Sequence, residues 1–241
     1  MGDIRLLLIA AAAATALGAA SAPVQVSANE LVVNGSFEAD SFTGSGLGYR
    51  LGLVGSDVTG WFIPASDGTY PWGLQNVNAF GAGPARDGNQ WIVIGETGAG
   101  GPSHIDYTIQ QTVSGLTPGA TYTLKFSAAS EEAAGGGAMG EVSFLSGATF
   151  APMDFSAPVR GSTFWSPWGD FSTTFVATGT SAVLQFKDLA VEFTDAGDLG
   201  LDMVSISSLG VPEPATWAMM AAGFFGLGLM VRRRSGAAAT A

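Results

Sequence analysis

Between residues 29 and 210 the apolar residues of this chain recur at every second position wherever they are ordered at all, and no segment carries the helical period of about 3.6 residues. A chain patterned this way buries only one face of each extended segment, so it must build sheets and close them on one another. Tyr122, Leu124, Phe126 and Ala128 share one parity; Ile105, Tyr107, Ile109 and Val113 share another. Phe171 and Phe175 alternate with threonines, and Leu184 and Phe186 repeat the pattern. Asp87-Gly88-Asn89, Thr117-Pro118-Gly119 and Gly135-Gly136-Gly137 punctuate the runs, with Pro118 and Gly119 standing where a type II turn wants them. The expected fold is all-β, a two-sheet antiparallel sandwich.

The two ends are of another kind. Arg5 gives a thin basic start, residues 6–17 are almost wholly apolar, and small residues follow, which reads as a secretory signal peptide over residues 1–28. Cleavage after Ala22 or Ala28 fits the small-x-small rule, and Ala28 is preferred because the other cut leaves Pro23 at the first mature position. Near the opposite end, residues 215–231 carry no charge and run into Arg232-Arg233-Arg234. At about 1.5 Å per residue such a helix just crosses a thin bilayer, and the arginines hold its far side in the cytoplasm. Residues 29–210 are then a single domain outside the cytoplasmic membrane.

Composition narrows the partners of that domain. The chain has no cysteine, so an exported fold must rest on its apolar core, with or without a metal, and not on disulfides. Residues 29–210 hold eighteen acidic side chains against Arg50, Arg86, Lys125, Arg160 and Lys187, a net charge of −13. Such a surface repels nucleic acid and anionic lipid and is compatible with neutral polysaccharide or with calcium.

Val211-Pro212-Glu213-Pro214, the apolar segment and the arginine tail, taken in that order over residues 211–241, resemble the PEP-CTERM sorting signal of Gram-negative bacteria. The resemblance implies recognition by an exosortase, a membrane-embedded cysteine protease, through Val211, Pro212, Glu213, Pro214, Arg232, Arg233 and Arg234. It also implies passage through the Sec translocon, signal peptidase processing, and a membrane-anchored precursor before delivery to the cell surface or extracellular matrix.

A second resemblance spans the exported domain. Residues 31–38 (Leu-Val-Val-Asn-Gly-Ser-Phe-Glu) are followed by Gly60-Trp61, by Asp87-Gly88-Asn89-Gln90-Trp91, by Gln110-Gln111-Thr112-Val113, by Thr117-Pro118-Gly119 with Tyr122, and by Leu201-Asp202-Met203-Val204. The series is similar to the galactose-binding-domain-like jelly roll shared by many carbohydrate-binding modules. That resemblance implies a structural calcium between Glu38 and Asp202, near the first and last strands. From the residues alone, Asp202 shares the parity of Val204 and Ile206, which points it at the core, where a carboxylate needs a cation or several donors. The alternative is that Asp202 caps a strand end by accepting backbone hydrogen bonds while Glu38 is solvated.

Six tryptophans are candidates for stacking on sugar rings. Trp61 and Trp91 sit in strand-like runs and read as core. Tyr70 and Trp72 in a Gly-rich loop, and Trp165 in Phe164-Trp165-Ser166-Pro167, have the loop setting of a ligand platform, with loop anchoring as the competing role. Catalysis finds little footing: His104 is the single histidine, and no Gly-x-Ser-x-Gly or His-Glu-x-x-His occurs. Glu131-Glu132 and Asp195 with Asp198 read as solvated turns, and residues 95–101 as a hairpin loop lacking the lysine of a phosphate cradle. The sequence therefore points to a non-catalytic, exosortase-sorted surface or matrix protein. A polysaccharide-binding module is the alternative, and an enzyme acting on matrix glycan a more distant one.

Overall fold

A computed structural model describes residues 30–40, 48–51, 53–64, 72–76, 83, 85–95, 107–131, 137–159, 161, 165–189 and 198–208. The signal peptide, Tyr70, Arg160, the sorting motif and the apolar tail lie outside the described residues, as does the side chain of Trp72. The strands in chain order are β1 (Tyr49–Leu51), β2 (Gly55–Val58), β3 (Trp61–Ile63), β4 (Trp72–Asn76), β5 (Gln90–Ile94), β6 (Thr108–Ser114), β7 (Thr121–Ser130), β8 (Met139–Ser146), β9 (Ala148–Thr149), β10 (Met153–Ser156), β11 (Gly169–Ala177), β12 (Ser181–Asp188) and β13 (Leu199–Ser208). They form a seven-stranded sheet, β1-β4-β5-β13-β7-β11-β9, and a six-stranded sheet, β10-β8-β12-β6-β3-β2. Every strand pairing among the described residues is antiparallel, and no helix occurs among them. This is the expected jelly-roll sandwich.

Alternation decides which side chains meet. Tyr122, Leu124, Phe126 and Ala128 of β7 face Ile109 and Val113 of β6 and Leu184 and Phe186 of β12, all buried in one core. Phe126 is its centre: its ring stacks on Phe171 at 5.1 Å and meets Phe155 and Phe186 edge-on at 4.8 and 5.0 Å. Each fully buried side chain of this size contributes about 1.5–3 kcal/mol, and with no cysteine in the chain these contacts carry the stability. The turn before β7 is as expected: Gly119 has φ of 82° and the Ala120 N–H donates to the Thr117 carbonyl at 3.0 Å.

The first segment departs from expectation. Residues 30–40 form a hook of turns rather than a strand, although they do lie along β13 as the resemblance implies: the Leu31 N–H donates to the Ile206 carbonyl and the Val204 N–H to the Gly35 carbonyl. Asn34 and Phe37 both take left-handed backbone angles, φ of 54° and 60°. Burial holds that strain, because Phe37 packs on Trp61 at 5.4 Å and the Trp61 indole N–H donates to the Asn34 carbonyl.

A second departure lies in β13 itself. Leu199 and Leu201 face the core, and so do Val204 and Ile206, because the register with β7 shifts between Asp202 and Ser205. Met203, at φ of 53°, absorbs the extra residue. Asp202 therefore pairs with Ser127 on the outer face of the seven-stranded sheet, and the parity argument that pointed it at the core fails at this bulge. That outer face carries its own apolar cluster of Trp91, Val93, Ala129 and Trp165, with Trp168 against it.

Gly35 separates close approach from backbone strain. A β-carbon there would fall 1.9 Å from the Val204 carbonyl oxygen, so Gly35→Ala must push the hook off β13. Gly119 has open space but a left-handed φ, so Gly119→Ala should cost only about 1 kcal/mol. Urea midpoints of the two variants should show Gly35→Ala losing at least as much as the upper end of the overpacking range, about 3 kcal/mol; equal losses would mean that the hook does not press on β13.

Candidate functional site

Glu38 and Asp202 meet at one turn, residues 86–90. Asp202 is fully buried, and its Oδ2 accepts the Arg86 and Asp87 N–H groups, both at 2.9 Å, while Oδ1 accepts the Met203 N–H at 2.7 Å. Glu38 grips the same turn from the hook: its Oε1 accepts the Asn89 and Gln90 N–H groups, both at 2.7 Å. Gly88 makes room for it, since a β-carbon there would sit 2.5 Å from the Glu38 carboxyl. The Gln90 amide donates to the Phe37 and Asp40 carbonyls, closing the hook over the start of β5. Both carboxylates are thus backbone acceptors, and Glu38 is not merely solvated.

The electrostatics follow from burial and donors. Burial pushes the Asp202 carboxyl up to about 7, against the pull of the Asp87, Met203 and Arg86 N–H groups. Beside it, Arg86 makes a two-pronged contact to exposed Asp170 at 3.0 and 2.7 Å, and Ser127 donates to the same carboxylate at 2.7 Å. The hydrogen bonds from Arg86 and then Ser127 hold Asp170 down to about 2. Ser36 ties the hook to the turn by donating to Asp87 at 2.7 Å. No group of three His, Cys, Asp or Glu side chains gathers in metal-binding fashion among the described residues.

The tryptophans settle differently from expectation. Trp61 is core, but Trp91 belongs to the outer cluster, where it meets Trp165 and Trp168 edge-on at 5.7 and 6.0 Å. Trp165 is no open platform: it is 5% exposed, its ring lies over Gly200, and its indole N–H donates to Gln75 at 3.2 Å. It anchors its loop, because a bulky aromatic finds more area against a flat sheet than in water. Gln75 in turn donates to Glu131 at 3.2 Å. Glu131 and Asp198, expected in solvated turns, are both buried, which apolar neighbours in an Ala/Gly-rich sequence could not have disclosed.

The outer face of the six-stranded sheet is open and was not anticipated. Register aligns Ser143, Gln185, Gln110 and Phe62 in one row across four strands, and the Gln110 side-chain amide donates to Gln185 Oε1 at 3.0 Å. Phe62 is 49% exposed at the end of that row. A neighbouring row sets Asp154, Glu141, Lys187 and Thr108 side by side. The signal was present in the sequence: Gln110 has the parity opposite to Ile109 and Val113, and Gln185 the parity opposite to Leu184 and Phe186. Amides beside an aromatic ring on a flat sheet can bond hydroxyl groups and stack on an apolar ring face.

Residues 210–234 match the PEP-CTERM protein-sorting motif. None of the curated proteins is similar to the chain in sequence. Among solved structures, the chain is similar to the K1 cleaved adhesin domain of Lys-gingipain from Porphyromonas gingivalis W83, at 18% identity and a TM-score of 0.44 over 63% of this chain and 92% of that one. It is also similar to TmCBM61 in complex with β-1,4-galactotriose, at 15% identity and 0.43 over 74% and 98%. A family 16 carbohydrate-binding module gives 17% identity and 0.39 over 73% and 98%. The chain thus carries a PEP-CTERM sorting signal, the mark of an exported, membrane-anchored precursor processed by an exosortase, together with a jelly-roll domain.

Proposed function

We propose that this protein is a non-catalytic component of the cell surface or extracellular matrix, delivered there when an exosortase acts on its C-terminal signal. The sorting motif at residues 210–234 carries the reading. The ectodomain, residues 29–210, is exported through the Sec translocon and released from its signal peptide. Among the described residues, the facing carboxylates on the open sheet, Asp154 and Glu141, sit on an edge strand and its neighbour, with Lys187 on the other side of Glu141. That is a surface charge row rather than an acid and base framing a scissile bond.

The row of Gln110, Gln185 and Phe62 favours a second reading, in which the open sheet binds neutral matrix polysaccharide. Hydroxyls on a sugar would replace water on the amides, and Phe62 would cover one ring face. The site is this sheet, rather than Trp165.

For the cation, we propose that calcium is held at the turn 86–90 through Glu38 and Asp202. Two carboxylates already grip that turn, and a divalent charge beside Asp202 would offset the desolvation that its three N–H donors leave uncovered. The competing occupants are those N–H groups themselves, which take most of the lone pairs on Asp202.

Replacing Pro212 and Pro214 with alanine should leave full-length precursor in the cytoplasmic membrane of a host with an exosortase; unchanged release or surface display of that variant would defeat the sorting reading. On a glycan array, the exported protein should retain a neutral polysaccharide that Gln110→Ala and Phe62→Ala each lose, while Trp165→Ala, if folded, retains it. Loss confined to the Trp165 variant would move the site to the other sheet. For calcium, the sign follows from the raised acid: between its ordinary value of 3.8 and about 7 the folded state holds a proton that the unfolded state has shed. In chelator, stability should therefore be highest below pH 3.8 as far as Asp202 is concerned, and fall as pH rises through about 7. Asp202→Asn should flatten that slope. Calcium at about a hundred times its Kd should restore roughly 2.7 kcal/mol to the wild type and nothing to the variant; a wild-type melting midpoint unmoved by calcium above pH 7 would leave Asp202 as a backbone cap alone.

A further inference from the structure

The longest open strand edge among the described residues belongs to β11. It pairs with β7 along its length, but on its other side β9 covers only Val176 and Ala177, and Pro158 closes over Gly169. Asp170 through Phe175 are left without a neighbour strand. The other sheet edges are short, three residues in β1 and four each in β2 and β10, which limits what can pair with them. β11 has none of the usual guards: no proline, no lysine and no bulge in its pairing with β7, and its one charge, Asp170, is turned to Arg86.

The core is incompletely covered on this same side. Of the apolar residues that pack on the core yet stay partly exposed, Phe144, Ala148, Phe150, Met153 and Phe171 all come from β8 to β11. Phe171 lies 5.1 Å from Phe155 of the opposite sheet, so this apolar seam runs beside the open edge. What would seal both is an extended strand with apolar residues inward and polar residues outward. β11 itself has that pattern, Phe171, Thr173 and Phe175 inward against Asp170, Ser172 and Thr174 outward.

We propose that β11 pairs antiparallel with β11 of a second copy about a two-fold axis at Ser172, joining two seven-stranded sheets edge to edge. This goes beyond sorting and glycan binding, either of which stands without it. The axis at Ser172 uses the open stretch and clears β9: Asp170 faces Thr174 of the second copy and Phe171 faces its Thr173, so no like charges oppose each other and inward residues meet inward ones. An axis at Thr173 would drive Asp170 against Val176, which β9 already occupies. Both copies carry the acidic surface, so salt should strengthen this association by screening, the reverse of a contact held by ion pairs.

The absence of cysteine makes the test clean. In the full chain in detergent, Ser172→Cys places two thiols across a strand pair, with α-carbons about 4.5–5.5 Å apart and within disulfide reach. Ser172 is exposed, so the substitution leaves the core intact; Thr112→Cys, exposed on the open face of the other sheet, is the control. Mild oxidation should double the mass of the Ser172→Cys chain on a non-reducing gel and leave Thr112→Cys single. The wild type should sediment as a dimer whose share rises with salt. Cross-linking of Ser172→Cys no faster than Thr112→Cys, or a wild type that stays monomeric at high salt, would overturn the proposal and assign the edge to some other extended peptide or to solvent.

Discussion

Strand β13 changes partner halfway along, and the arrangement of the seven-stranded sheet depends on how it does so. Over Leu199 to Leu201 it lies between β5 and β7; beyond the bulge it keeps β7 but exchanges β5 for the N-terminal hook. The extra residue at Met203 resets the alternation, so that leucines before the bulge and Val204 and Ile206 after it all reach the core. At the exchange, the turn that precedes β5 presents N–H groups that no strand accepts. Asp202 and Glu38 supply the missing acceptors, one from the last strand and one from the first segment. Hydrogen bonds to charged groups contribute about 1.5–3 kcal/mol each, so two carboxylates at this seam stand in for strand bonds. The cost is a buried charge, visible in the raised Asp202 carboxyl.

Most of the sandwich was legible because alternation is a local signal. Tyr122, Leu124, Phe126 and Ala128 had to share a face whatever lay opposite, and Gly119 had to close its turn. The bulge was not legible: a single left-handed residue shifts every later side chain to the other face, and nothing in Asp202-Met203-Val204 announces it. The hook was misread for a related reason. Residues 31–38 look like a strand, but Gly35 lets the chain approach β13 so closely that a run of turns does the pairing. At the site, the family resemblance named the two carboxylates and their proximity, yet not that they share one turn, because the Arg86 to Gln90 N–H groups carry no side-chain signature.

The two outer faces differ because of small residues. On the seven-stranded sheet, Gly200 and Ala129 leave a shallow floor on which Trp165 settles, and Gln75 receives its indole N–H. Trp165, which had the setting of a ligand platform, is thereby spent on closing the sheet. On the six-stranded sheet the outward row includes Gln185 and Gln110, side chains long enough to bond one another and too polar to attract an apolar lid. Phe62 then stays half exposed at the end of the row because no loop of comparable bulk lies over it among the described residues. The face that remains wet is the one equipped with amides.

An acidic surface of this size sets conditions on any assembly. At a net charge of −13 over residues 29–210, two domains repel at long range, and only a contact that closes at short range, by backbone pairing or apolar cover, overcomes that in moderate salt. Arg86 is one of few cations on the domain, and it is spent on Asp170, at the mouth of the open β11 edge. Pairing offsets the one charge that would otherwise guard the edge, since an unpaired Asp at a strand margin discourages pairing much as lysine does. The same arginine lends its backbone N–H to Asp202. The turn that secures the changeover in β13 therefore also supplies the counter-charge to Asp170 on β11, two strands away.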